Sequence, residues 1–304
     1  MKRRLRYRRI RSWLVLLIVF IIAIHVCLAQ QAQQNPAPMS DSTRPHPRVA
    51  QREVSGTHVE LTSLKGATLF IGPGVRRGKS IPIVIHFHGA PRLIETHIAD
   101  HLPKAALITV QLGSGSSVYN RPFDRTETFR TMLDEAKKAI GTGTAFSSVT
   151  LTAWSAGYGA VRAILRDEAS FARVDKVLLL DGIHASYSPE SKPLAEGGVV
   201  NASDLDSFER FAREAVAGRK VFVITHSEIF PATYASTTEC TDHLLKVLLI
   251  QRQPRLKAEP PGMQRLSMAD KGNFHVRGYA GNSAPDHVDH IHSMPAWFRL
   301  LKIR

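Results

Sequence analysis

The stretch Val149-Thr150-Leu151-Thr152-Ala153-Trp154-Ser155-Ala156-Gly157-Tyr158-Gly159-Ala160-Val161-Arg162 decides the fold. It opens as a β-branched, apolar run, the composition of a buried strand. It then passes through Ser155 and several small residues into a helical pattern from Ala160 to Leu165. A serine between a strand and a helix, with small neighbours, meets the demands of a nucleophile elbow. The sharp turn exposes the hydroxyl, and bulky flanks would collide with the strand or the helix. The core reads Ala153-Trp154-Ser155-Ala156-Gly157, so alanine stands where the G-x-S-x-G pattern has its first glycine. Alanine is still small. Ordinary strand-to-helix turns share this pattern, so the reading also requires a base, an acid and an oxyanion site elsewhere in the chain.

Outward from the elbow, short apolar runs alternate with helical periods. Val59 to Leu61 and Ala67 to Ile71 read as an opening antiparallel pair, and Ile81 to Phe87 as a strand buried on both faces. Ala105 to Val110 follows, leading into a flexible loop at Gln111 to Ser117. Thr126 to Ile140 carries Phe129, Met132, Leu133 and Ala136 on one helical face. Beyond the elbow, Val177 to Leu180 and Val221 to Thr225 are strands. Ala185 to Ser203 has the Pro, Gly and Ser content of a cap or lid. Asp204 is placed to cap a helix bearing Leu205, Phe208, Phe211 and Val216. Thr238 to Ile250 reads as a helix and Phe274 to Tyr279 as the last strand. A final helix over roughly His287 to Lys302 is interrupted or kinked near Pro295. Such alternation predicts an α/β fold, a mainly parallel, doubly wound sheet with helices on both faces and a short lid-like insertion. In these sheets functional residues gather at the carboxyl ends of the strands.

From Val59 to Arg304 this order resembles the α/β-hydrolase family, with the elbow serine, the His88-Gly89-Ala90 turn and the late Asp286-His287-Val288-Asp289-His290-Ile291-His292 segment in the expected succession. The resemblance implies a serine hydrolase of the esterase or lipase kind. Ser155 would be its nucleophile, and a histidine after the last strand its base, with His287 first by position and His290 second. Two carboxylates end strands where the family places its acid, Asp181 and Glu228. Asp181 is preferred because a charge closing Val177-Leu178-Leu179-Leu180 needs a partner. The oxyanion donors implied are Ala156, which follows the nucleophile, and the His88-Gly89 turn, which resembles the His-Gly-Gly segment of esterases. Trp154, Tyr158 and Tyr187 are candidate walls of an acyl pocket. The loops 114–125 and 185–203 would shape specificity but carry no readable code. An ester, small or part of an envelope polymer, is the expected substrate, ahead of an amide, and no cofactor is expected.

The remainder bounds the alternatives. The formal net charge is +14, but Lys2, Arg3, Arg4, Arg6, Arg8, Arg9 and Arg11 crowd the first eleven residues and leave +7 for the rest. No dense basic-aromatic patch follows, so nucleic acid is not an expected partner. The basic start, the apolar run Trp13 to Val26 and the small residues of Cys27-Leu28-Ala29 have the layout of a secretory signal cleaved after Ala29. Two other readings stay open. One is an uncleaved anchor over residues 13–29, close to the minimum spanning length of about 17 residues. The other is lipidation at Cys27, disfavoured by His25 and Val26. Each puts the body outside the cytoplasm, as a periplasmic, secreted or inner-membrane-anchored protein. Residues 30–52, rich in Gln, Pro, Ser and Arg, read as a disordered linker, and 53–304 as the single folded domain. Without Cys27, Cys240 has no partner for a disulfide and reads as a buried small hydrophobe. The fourteen histidines, His86 and His88 among them, raise a metal-dependent hydrolase as a rival, but no familiar ligand spacing accompanies them. A second rival is a hydrolase-fold envelope protein that binds without catalysing.

Overall fold

The computed structural model describes residues 52–259 and 262–303. The expected signal or anchor segment, residues 1–29, and nearly all of the expected linker, residues 30–52, therefore lie outside the described residues. In chain order the strands are β1 (Thr57–Glu60), β2 (Ala67–Ile71), β3 (Ser80–Phe87), β4 (Ala106–Val110), β5 (Ala145–Trp154), β6 (Lys176–Leu180), β7 (Tyr187–Ser188), β8 (Val199–Val200), β9 (Val221–His226), β10 (Gln253–Glu259), β11 (Met263–Lys271) and β12 (Phe274–Tyr279). The helices are α1 (Pro91–His101), α2 (Ser116–Asn120), α3 (Thr126–Ile140), α4 (Tyr158–Arg166), α5 (Glu168–Arg173), α6 (Asp206–Val216), α7 (Thr237–Val247), α8 (Ala284–His292) and α9 (Phe298–Leu301).

Ten strands form one sheet in the order β1-β2-β4-β3-β5-β6-β9-β12-β11-β10. From β4 to β12 all neighbours are parallel, and an antiparallel pair closes each edge. The side-chain period of two divides the strands between two cores. Ile83, Ile85, Phe87, Leu151, Ala153, Val177 and Leu179 face α3, α4, α6 and α7. Val84, Leu107, Leu178, Leu180 and Val223 face α1 and the C-terminal helices through Ile94, Ile98, Ile291, Trp297 and Leu301. Both faces of the central strands are dry, so their sequences run apolar without alternation.

Several expectations need correction. Residues 116–120, read as part of a flexible loop region, form α2, which continues into a 3₁₀ turn at Arg121–Asp124. Gly159 makes room for this segment, since a Cβ there would lie 2.1 Å from the Ser116 carbonyl oxygen. Asp204 caps no α-helix: α6 begins at Asp206, and the Asp204 carboxylate accepts from the N–H and hydroxyl of Ser186, at 2.8 and 2.7 Å. That bond closes the insertion after β6, where β7 and β8 pair as a separate two-stranded sheet. The β10–β11 hairpin escapes the sequence reading because β10 is an exposed, polar edge strand. Of the two readings of the final helix, interrupted or kinked near Pro295, the structure has the interruption: α8, a 3₁₀ turn over Met294–Trp297 and α9. Cys240 is fully buried. Among the described residues no helix is long and apolar enough to cross a membrane.

Candidate active site

The loops after β3 and β5 leave neighbouring strands in opposite directions, β3 leading outward to β4 and β5 to β6 on the other side. Such a switch point opens a crevice at the carboxyl edge of the sheet. Ser155 sits there, directly after β5, in a 3₁₀ turn that runs into α4. Its φ of 48° lies in the left-handed region that non-glycine residues avoid, the strain expected of an elbow. The turn is tight because Gly157 lies against β3: a Cβ there would come within 2.1 Å of the Phe87 carbonyl oxygen. The N–H groups of the helix's first turn have no intrahelical acceptor, and Ala156 supplies one of them beside the serine.

Asp181 ends β6 and is also left-handed, with φ 44°. Its carboxylate is buried and accepts three hydrogen bonds, from the Ser227 N–H (2.8 Å), the Ser227 hydroxyl (2.7 Å) and His287 Nδ1 (2.7 Å). Burial alone would raise its pKa. The neighbouring His290 and His287 imidazoles and the bonds from His287 and Ser227 outweigh burial, and hold it well below the usual carboxylate range. Glu228, the other acid candidate, is exposed one residue beyond Ser227, its N–H bonded to the Gly281 carbonyl. The structure thus joins Asp181 to His287 and leaves Glu228 outside the cluster. Ser227 was missed by sequence reasoning; its signal is only its place at the end of β9, next to β6.

His287 lies in the first turn of α8, which Asp286 anchors by accepting from the Ser283 N–H and hydroxyl at 2.9 and 2.5 Å. With Nδ1 donating to Asp181, Nε2 is the nitrogen left to accept a proton. It is buried and makes no hydrogen bond, to Ser155 or any other described residue. Trp154, the residue before the serine, donates its indole N–H to the His287 carbonyl (3.0 Å), and its ring lies 4.7 Å from the imidazole. On the other side, Gly182 packs so closely on Ser155 that a Cβ would fall 2.4 Å from the Ser155 carbonyl oxygen. Serine, histidine and acid loops are therefore contiguous. His290, the second choice of base, is buried with Nδ1 2.7 Å from the Thr225 hydroxyl, and burial pulls its pKa down to about 4.

The His88-Gly89 turn also reaches the crevice, with φ 67° at His88 and 123° at Gly89. His88 stacks on Trp154 with ring centroids 5.2 Å apart. One assignment changes: the His88 N–H is committed to the Val110 carbonyl (3.1 Å), so it is no oxyanion donor. The N–H groups of Gly89 and of Ala90, which sequence reasoning passed over as a donor, make no hydrogen bond among the described residues. Of the pocket candidates, Tyr187 is buried and spends its hydroxyl on Glu239, whereas Tyr158 reaches the Ser116 hydroxyl at 3.2 Å. Among the described residues no three His, Cys, Asp or Glu side chains group as metal ligands.

The strand order, the elbow after β5 and a histidine following the last parallel strand together decide the architecture. The chain has the α/β-hydrolase fold. No family model and no curated protein matches it. Among solved structures, this chain is similar to a feruloyl esterase module from Clostridium thermocellum, at 11% identity and TM-score 0.48, covering 86% of this chain and 92% of that one. It is also similar to an ester hydrolase from the metagenome of Lake Arreo, at 13% identity and TM-score 0.46, covering 91% and 97%. An acylaminoacyl peptidase from Pyrococcus horikoshii is similar at 14% identity and TM-score 0.45; the match covers 83% of this chain and 42% of that longer one. Within this fold Asp181 stands directly after β6, and Ser227, directly after the neighbouring β9, donates to its carboxylate.

Proposed function

We propose that this protein hydrolyses carboxylic esters through an acyl-enzyme on Ser155. The observation that carries the reading is the buried Asp181–His287 pair, with its outer nitrogen unpartnered, beside a strained elbow serine. Catalytic contacts of this kind often tighten only when substrate arrives. Ser155 Oγ attacks the ester carbonyl as His287 Nε2 takes its proton. The resulting oxyanion is met by the N–H of Ala156 and by an N–H of the 89–90 turn. Collapse expels the alcohol, which takes the proton from His287. Water then attacks the acyl carbonyl, with His287 again accepting and returning a proton, and releases the acid. Asp181 holds the imidazole in the tautomer with Nδ1 protonated and stabilises the imidazolium.

The deciding experiment treats the purified domain with a fluorophosphonate and maps the adduct, alongside hydrolysis of p-nitrophenyl acetate. Labelling at Ser155 that vanishes in Ser155→Ala, with loss of turnover, is expected. A folded protein that neither labels nor turns over overturns the reading and favours a binding role. Export is proposed on the residue pattern of 1–29. Fractionation of cells followed by N-terminal sequencing should find a mature chain starting at Gln30; a cytoplasmic chain starting at Met1 contradicts this.

A further inference from the structure

The 88–90 turn is held by two side chains outside the proposed triad. His86, on β3, is fully buried, with Nε2 2.7 Å from the His88 carbonyl oxygen and Nδ1 2.8 Å from the Thr152 hydroxyl. A carbonyl can only accept, so Nε2 carries the proton and Nδ1 accepts from Thr152. Burial, the largest influence, lowers the pKa of His86 to about 3 and keeps this neutral arrangement at ordinary pH. One residue further, the Gly89 carbonyl accepts from the side-chain amide of Gln111, which follows β4.

In a trans peptide the C=O and the next N–H point to opposite sides of one rigid plane. Tying down the His88 carbonyl therefore turns the Gly89 N–H away from His86, and tying down the Gly89 carbonyl turns the Ala90 N–H away from Gln111. These are the two N–H groups of the turn without a partner among the described residues. The register of the sheet makes the clamp possible, because His86 and Thr152 are paired residues on adjacent parallel strands, on the same face. With φ of 67° His88 lies in the left-handed region that non-glycine residues avoid, while Gly89 takes its φ of 123° freely.

We infer that His86 and Gln111 are positioning residues that orient the Gly89 and Ala90 peptides as oxyanion donors. The inference rests on the ester-hydrolase reading above. A misdirected donor weakens binding of the transition state and leaves binding of the ground state intact, and small displacements at a reacting centre cost on the order of 10²-fold in rate.

The test compares wild type with His86→Leu, His86→Gln and Gln111→Leu on p-nitrophenyl acetate, and adds inhibition by a trifluoromethyl ketone that mimics the tetrahedral intermediate. Expected for His86→Leu is a fall in kcat of about 10²-fold with KM within about threefold, and a matching loss of ketone affinity. His86→Gln, whose amide still donates, should recover much of it; Gln111→Leu should show the same split more weakly. If His86→Leu does not fold, Gln111→Leu alone decides. A folded His86→Leu or Gln111→Leu with wild-type kcat and ketone affinity overturns this inference and leaves the ester reading standing. An inactive, unlabelled wild type overturns both.

Discussion

Asp181 is a charge with almost nothing but designed partners around it. A buried carboxylate is tolerable only when its lone pairs are satisfied, and here Ser227 and His287 supply three donors. Asp181→Asn keeps the shape but presents an amide to Nδ1, which favours the wrong tautomer. A fall in kcat of about 10³–10⁴-fold is expected. Glu228→Gln, on an exposed side chain, should stay within about twofold; steady-state kinetics on the two variants side by side reverse the assignment if the losses are exchanged. Ser227→Ala removes a hydroxyl bond to a buried anion, and should lower stability by about 1.5–3 kcal/mol, read by urea unfolding.

The elbow is an element-scale device. β5 delivers Ser155, and α4 leaves it at an angle permitted only because residue 157 has no side chain against β3. Gly157→Ala places a methyl on the Phe87 carbonyl, and backbone cannot yield as a flexible side chain can. A loss of about 1–3 kcal/mol is expected, together with slower fluorophosphonate labelling, because the serine is displaced with its helix. A variant that retains both stability and labelling would show that the elbow has slack. In the insertion after β6, Asp204 binds both donors of Ser186. Asp204→Ala leaves the half-buried Ser186 N–H without an acceptor and its hydroxyl with only the bond from the Asn201 amide, a cost of about 1–3 kcal/mol. Hydrogen exchange should report it as faster opening of β7 and β8, with β3 and β5 unaffected.

Across the whole molecule, histidines held neutral by full or partial burial set the response to acid. His88, His97, His184, His226 and His290 have pKa values pulled down to about 4, and His86 to about 3, in every case chiefly by burial. In the unfolded chain these groups titrate near 6.5. Between about pH 6.5 and 4 the unfolded state therefore binds more protons, so stability is full above this window and falls as pH descends through it. Asp181, depressed below its unfolded value, adds a loss of the same sign at still lower pH. Thermal melts should show Tm falling steadily from pH 7 to pH 5; a flat profile would mean that these imidazoles are hydrated.

The sequence by itself determined what is local. The strand of Val149 to Trp154, the small flanks of Ser155 and the helical period beyond are neighbours in the chain, and a turn between them depends on little else. The order of the parallel strands is equally legible, because each is an apolar run buried on both faces, whereas Pro91–His101, Ser116–Asn120 and the β10–β11 hairpin carry no such signal. Only the tertiary structure sets Asp181 against His287 and leaves Glu228 apart from it. Both end strands, and only the adjacency of β6 and β9 brings Ser227 and His287 onto one carboxylate and leaves the other in water. It also commits the His88 amide to Val110 and leaves the Gly89 and Ala90 amides without a partner among the described residues, since that acceptor lies on a neighbouring strand. β10, with Arg255 and Lys257 outward, has no apolar pattern to betray a strand; its partner β11 makes it one. Periodicity records which faces are buried, but not which residues from distant segments meet at the carboxyl edge of a sheet.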